Sequence, residues 1–97
     1  MHAGAYGFNL VGSTDLDLTS TTSAQVVIRR PDGSILTKDL APTAFTQVAP
    51  DWHFAVPIDN GDLPIDGTYL IQFIDTTTGR RLPCSIGKFN VLPNIVP

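Results

Sequence analysis

The stretch Arg-Arg-Pro-Asp-Gly-Ser at residues 29–34 is the clearest turn signal in the chain, and it lies between two runs rich in aliphatic residues. Pro31 presets φ at about −65°, which suits the first corner of a turn, and Gly33 adopts positive φ without steric cost. Asp32 can accept hydrogen bonds from the local backbone. Ala24, Val26 and Ile28 would share one face of a strand and Gln25, Val27 and Arg29 the other, so we predict two antiparallel strands joined by this turn.

The use of aspartate and not glutamate as the acidic residue favours further turns and argues against long helices. All nine acidic residues are aspartate and none is glutamate, and Asp is common in turns and caps whereas Glu is a good helix former. Extended segments recur at short spacing with turn residues between them. The predicted strands are residues 6–11, 23–30, 35–40, 44–49, 52–56, 69–75 and 88–92, with a brief pairing over 80–84.

About seven short strands with turn chemistry between them predict an all-β fold, an immunoglobulin-like antiparallel β-sandwich. Tyr69 follows an Asp-Gly turn at the start of the strongest strand, as the tyrosine corner of such domains does. With a single cysteine in the chain, an inter-sheet disulfide is excluded and apolar packing has to take its place. The residues expected in the core are Val26, Ile28, Trp52, Phe54, Ile71 and Phe73, with the three large residues of 52–56 at its centre.

The length of 97 residues suits one domain. We expect residues 1–97 to form a single sandwich with its core at about 6–92 and extended arms at 1–5 and 93–97. No basic region or sustained apolar run near Met1 is typical of a signal peptide, and no run is long enough to cross a membrane, so we expect synthesis in a cytoplasm and no membrane partner.

Residues that could carry chemistry are few. Two histidines and one cysteine do not supply a four-ligand zinc site, and Asp59, Asp62 and Asp66 lack the spacing and the closing Glu of a calcium loop. His53 with Cys84 or Ser85 matches no nucleophile motif. A net charge of −3 argues against nucleic acid. We therefore expect no enzyme, cofactor, metal or small-molecule substrate.

The low charge content indicates instead that other proteins cover part of the surface. Only 15% of residues are charged, against about 25% in ordinary soluble domains. Apolar residues out of phase with the predicted core, uncharged arms and two arginine pairs beside turns are the candidates for contact. The predicted interface residues are Tyr6, Phe8, Val27, Arg29, Leu70, Ile74, Arg80, Arg81, Ile95 and Val96. We also predict that at least one arm docks on a neighbouring subunit.

The order of four short motifs carries a family resemblance. Asp17-Leu18-Thr19 precedes the Arg-Arg-Pro-Asp-Gly segment, and Gly61-Asp62-Leu63 and Gly67-Thr68-Tyr69 follow it. Over residues 6–92 this pattern resembles small immunoglobulin-like structural domains of tailed bacteriophages, and is similar to the N-terminal domain of the baseplate upper protein. This chain ends at Pro97, whereas the baseplate protein continues into further segments, so capsid and neck positions stay open.

The resemblance implies a non-enzymatic virion protein that acts by assembly with itself and with other virion proteins. Its role would be that of a minor structural, cementing or adaptor subunit of the head, neck, tail or baseplate, made in the host cytoplasm. The alternative is a sandwich module that binds carbohydrate or a host surface through Trp52, His53, Tyr6 and loop aspartates.

Overall fold

A computed structural model describes residues 1–79, 81–84 and 86–93. The chain folds into two antiparallel β-sheets packed face to face as an immunoglobulin-like sandwich. The first sheet has the strand order β1-β5-β4, from β1 (Phe8–Thr14), β4 (Phe45–Val48) and β5 (Asp51–Ile58). The fold class predicted from the sequence is confirmed.

The second sheet has the order β3-β2-β6, with two short strands along the far edge of β6. Its members are β2 (Ala24–Arg29), β3 (Ile35–Leu40), β6 (Gly67–Asp75), β7 (Leu82–Pro83) and β8 (Gly87–Val91). A single 3-10 turn over Pro42–Ala44 leads from the second sheet to the first. The pattern corresponds to the immunoglobulin strands C′CFG facing BED, with β6 as strand F.

The hairpin between β2 and β3 forms as its sequence predicts. The N–H of Gly33 donates to the carbonyl of Arg30 at 2.9 Å, and Gly33 has φ of 89°. The Asp32 carboxylate accepts hydrogen bonds from the Ser34 hydroxyl and backbone N–H, which hold the pKa of Asp32 below its ordinary value. This turn sets the register in which Arg29 pairs with Ile35.

The core lies between the sheets and is built on a cluster of aromatic rings. The centroid of the Phe73 ring lies 4.8 Å from that of Phe54 and 5.7 Å from that of Phe45, so one residue of the second sheet contacts two strands of the first. Val26, Ile28 and the neighbouring inward side chains are buried around them. Trp52 is only half-buried and packs against the edge of the cluster, because it lies where β1 ends. The expectation that Trp52 occupies the centre of the core is therefore wrong.

Gly12 makes room for this cluster. It faces Phe54 across the β1–β5 pair, and a Cβ on Gly12 would overlap the Phe54 ring. The ring therefore fills the space that a side chain would take in β1.

Tyr69 forms the tyrosine corner. Its side chain is fully buried, and its hydroxyl donates to the carbonyl of Ile65 at 2.7 Å. Phe89 stacks on its ring with centroids 5.2 Å apart. Burial raises the pKa of Tyr69. The bond ties the start of β6 to the loop that enters it.

We expect Tyr69→Phe to lower the free energy of unfolding by about 1–3 kcal/mol, because it leaves the Ile65 carbonyl without this donor while the ring stays in place. Urea unfolding followed by circular dichroism measures the change. Tyr6→Phe, at an exposed tyrosine, is the matched control and should leave stability unchanged; equal effects of the two substitutions would contradict the corner's role.

A second tie crosses the sandwich at the same end. Lys38 on β3 points inward, donates to the carbonyl of Pro57 and pairs with the carboxylates of Asp59 and Asp62. Arg30 adds a hydrogen bond from its Nε to the Asp62 carbonyl at 3.1 Å. The side chains of Lys38 and Asp62 are each 12% exposed, so the pair links β3 to the β5–β6 loop with little access to water.

The N-terminal arm docks on its own domain. The N–H of Ala3 donates to the carbonyl of Leu92 at 2.9 Å, and the N–H of Leu92 donates to the carbonyl of Met1 at 2.8 Å. His2 and Leu92 form a parallel bridge. The N–H of Gly4 donates to the carbonyl of Leu63. Residues 1–3 thus extend the edge of the second sheet beside the end of β8, instead of projecting as an arm.

Candidate protein-binding surfaces

The outer face of the second sheet brings together residues from four strands. Ala24, Val26 and Ile28 point into the core, so the alternate residues of β2 point away from it. The strand register then places Ile35, Arg29, Leu70 and Lys88 in one row across β3, β2, β6 and β8. Val27 and Gln72 are paired in the next row.

Four apolar side chains of this face surround a shallow depression of about 160 Å³. They are Val27, Ile35, Leu70 and Ile86, and together we call them the outer patch. Ile35 is 55% exposed, Leu70 37% and Ile86 62%. Single exposed apolar residues are common, but several that share one face of a sheet are typical of a contact surface.

The charges that border the outer patch are positive. Arg29 and Lys88 are the register partners of Leu70 on its two sides. Within the part of the chain that the structure describes, the ion pairs are those of Lys38 with Asp59 and Asp62, so neither Arg29 nor Lys88 has an acidic partner there. The carboxylate of Asp39, on the same face, accepts a hydrogen bond from Gln25. The outer patch therefore suits a partner that offers apolar side chains together with carboxylates.

The structure gathers three of the predicted interface residues and separates the others. Val27, Arg29 and Leu70 line the same depression. Tyr6 is 60% exposed but lies on the docked N-terminal segment, and Phe8 packs half-buried against the core. Arg81 is exposed beside β7. The predictions for Arg80, Ile95 and Val96 lie outside the described residues.

Ile74 corrects the predicted interface. It points away from the core as expected, but it is only 3% exposed. Its register partners on the two neighbouring strands are Gln25 and Pro83. Ile74 therefore has a strand on each side, β2 and β7, and its low exposure leaves it little surface to offer a partner.

Sequence reasoning missed Ile35, Ile86 and Lys88. Ile35 directly follows the turn, and its facing residue Arg29 was already a candidate, so the hairpin register would have placed both in one row. Ile86 directly precedes β8, and Lys88 is its second residue. No short turn joins β8 to β6, so the local sequence does not set the register between these two strands. No local signal in the sequence identifies them.

A second feature is a groove between the sheets along their open side, which we call the edge groove. It has a volume of about 360 Å³ and lies between residues 10–13 of β1 and residues 86–89 at β8. Its floor is formed by core residues, Phe54, Ile71 and Phe73, and Cys84 lines one end. The side chains of Val11 and Ile86, each 62% exposed, stand at its rims.

The residues considered for catalysis or carbohydrate binding are not gathered into one site. His53 pairs with Ser13 on the outer face of the first sheet, whereas Cys84 lies in the edge groove. Trp52 faces the end of β1 and Tyr6 precedes its start, so the two aromatic residues lie at opposite ends of this strand. Asp62 is held by Lys38.

The described ranges contain neither a candidate metal site nor a helix suited to crossing a membrane. Residues 1–79, 81–84 and 86–93 contain no group of three or more His, Cys, Asp or Glu side chains placed to hold a metal ion. The same residues include no helix with the length and apolar character needed to cross a bilayer.

Comparisons with known proteins bear on the fold alone. No protein-family model and no curated protein matches the chain. A similar solved structure is that of chitinase ChiW from Paenibacillus sp. str. FPU-7, a cell-surface-expressed multi-modular enzyme. The likeness covers 94% of this chain and 8% of the chitinase chain, with 22% identity and a TM-score of 0.58. This degree of similarity supports the sandwich architecture and carries no activity over to the chain.

Proposed function

We propose that this protein is a non-enzymatic assembly domain, a minor structural, cementing or adaptor subunit of a bacteriophage virion. The observation that carries the proposal is the outer patch, in which four apolar side chains share one sheet face with two cations, Arg29 and Lys88. The partners are further copies of the chain and other virion proteins.

Three apolar side chains of the outer patch, Ile35, Leu70 and Ile86, are exposed to water. Ile35 and Ile86 expose more than half of their surface next to Leu70, so covering the patch removes apolar area from water, at a gain of about 25 cal/mol per Å². Arg29 and Lys88 would then meet carboxylates of the partner, which favours encounter and sets the orientation. The acidic residues of the chain lie mainly in turns and loops, where a second copy can present them.

The virion setting is supported by the resemblance of residues 6–92 to immunoglobulin-like phage domains. A small sandwich without long loops has room for shallow contact surfaces and little room for a deep active site. In this setting the domain would act in the assembled particle after synthesis in the host cytoplasm.

We expect Leu70→Asp to weaken self-association about tenfold or more, because it replaces an apolar side chain of the outer patch with a carboxylate, and a residue at the centre of an interface often contributes more than 1 kcal/mol. The dissociation constant is measured by sedimentation equilibrium over a range of protein concentrations. Val48→Asp is the matched control, since Val48 is a 46% exposed apolar residue on the other sheet.

Equal dissociation constants for Leu70→Asp and Val48→Asp would contradict the role of the outer patch. A wild-type chain that stays monomeric at high concentration, together with virions whose mass spectra lack this protein, would contradict the assembly function. Binding of soluble chitin fragments, read from the fluorescence of Trp52, would favour the alternative carbohydrate-binding function.

A further inference from the structure

The edge groove is bounded by two strands that each have an open edge. In the described part of the chain, β1 pairs with β5 only, and β8 pairs with β6 only until Leu92 meets the N-terminal segment. An open strand edge presents N–H and carbonyl groups that another chain can pair with. The groove therefore has backbone donors and acceptors along its rims.

The floor of the edge groove is apolar and reaches the core. Phe54 and Phe73 are among the most buried side chains of the domain, yet both line the groove together with Ile71. Gly12 and Gly87 lie on the two rims, and the Phe54 ring of the floor packs against Gly12. In the immunoglobulin fold, a further strand beside strand B occupies this side of the sandwich.

We propose that the edge groove accepts an extended segment, residues 94–97, from a second copy of the chain. This inference rests on the proposed assembly function and names one contact of it. A four-residue strand is about 13 Å long, and four residues of β1 and four at β8 line the groove. The segment carries Ile95 and Val96 and no charged side chain, which matches the apolar floor.

The domain's own segment has an obstructed route to this groove. Residue 93 follows Leu92 at the end of β8, where Met1 and Ala3 already occupy the edge of the strand through hydrogen bonds to Leu92. To enter the groove in the same molecule, residues 94–97 would have to reverse at Pro93 and pass that paired edge. A segment arriving from another copy has no such obstacle, and it adds a strand as in known β-strand additions.

Disulfide trapping tests this contact directly, because the single cysteine of the chain, Cys84, lines the groove. Ile95→Cys and Val96→Cys are made separately, since alternate residues of a strand point to opposite faces. After mild oxidation we expect at least one of them to form a covalent dimer through Cys84, at least tenfold more than Val48→Cys, and no dimer when Cys84→Ala is added. Gels without reductant and peptide mass spectrometry identify the linkage.

Several results of these experiments would contradict the proposed docking of residues 94–97 in the edge groove of a second copy. A disulfide within one chain would show that the segment docks on its own domain. Absence of Cys84-linked dimers from a protein that self-associates by light scattering would exclude the groove contact and leave the proposed function standing. As a second measurement, removal of residues 94–97 should weaken self-association about tenfold, and an unchanged dissociation constant would also contradict the inference. A monomeric wild type would remove the proposed function itself.

Discussion

Replacing Phe73 with alanine is expected to lower the free energy of unfolding by about 3–5 kcal/mol, the range for buried aromatic residues. Phe73 is fully buried, and its ring contacts Phe54 and Phe45 across the sandwich. The substitution removes the contact between β6 and two strands of the first sheet and leaves a cavity near the edge groove. A domain of this size has a total stability of about 5–15 kcal/mol, so the variant should unfold at a much lower urea concentration.

Tyr6→Ala is the matched control for Phe73→Ala. It also truncates an aromatic side chain, but one that is 60% exposed, and we expect a change within about 0.5 kcal/mol. Urea unfolding monitored by circular dichroism gives both values. A loss at Phe73 no larger than that at Tyr6 would show that the aromatic cluster is not the centre of the core.

Lys38→Met is expected to lower the free energy of unfolding by about 2–4 kcal/mol. It leaves the carboxylate of Asp62 with little access to water and without its cation, and breaking a buried pair from one side is costly. Asp62 would keep the backbone N–H of Asp59 as a donor, which limits the loss. Lys88→Met, at an exposed lysine, is the control and should change stability little.

The double variant Lys38→Met with Asp62→Leu separates charge from packing. Because it removes both charges, we expect it to be more stable than Lys38→Met alone. A double variant less stable than Lys38→Met would show that Asp62 contributes mainly through its bond to the Asp59 backbone.

The same pair predicts how stability depends on pH. Burial favours the neutral form of Asp62 and would raise its pKa. This effect is outweighed by hydrogen bonds from Lys38 and the Asp59 N–H and by the charges of Lys38 and Arg30, so the pKa of Asp62 is lowered. Burial likewise disfavours charged Lys38, but its bonds to Asp62 and Asp59 outweigh this and raise its pKa.

A lowered carboxyl pKa stabilises the fold above its ordinary value of 3.8, and that stability is lost as pH falls through the folded-state pKa. A raised amine pKa stabilises the fold below its ordinary value of 10.5, and that stability is lost as pH rises through the folded-state pKa. We therefore expect the free energy of unfolding of the wild type to reach a plateau between these two pH limits, and the plateau to be lower in Lys38→Met. Urea unfolding at several pH values measures both profiles. Equal pH profiles for the two proteins would contradict it.

The features predictable from sequence are those with local causes. The Pro31-Asp32-Gly33 turn follows from the conformations that these residues favour, and the tyrosine corner requires only the four-residue separation between Ile65 and Tyr69. The alternation of residues 24–29 assigned the two faces of β2 correctly. Each of these signals is contained in a short stretch of chain.

The features missed depend on contacts between distant residues. Lys38 and Asp62 look like ordinary surface charges until the β5–β6 loop folds over β3. Ile74 has the pattern of an exposed residue, and β7 places it in the sheet interior. The N-terminal segment was predicted to be an extended arm, because its partner Leu92 lies at the other end of the sequence. For the candidate surfaces, Val27 and Leu70 were predicted from their position out of phase with the core and Arg29 from its place beside a turn, whereas the edge groove depends on the packing of both sheets.

The hydrogen bonds that join residues 1–3 to Leu92 have a practical consequence for display of foreign peptides. Residues 1–3 and the chain around Leu92 lie at one end of the sandwich, together with the turn after β2. The loops at residues 15–23 and 76–79 lie at the opposite end. If the domain is tethered through either segment, an epitope inserted at the exposed Thr78 and Gly79 would point away from the tether.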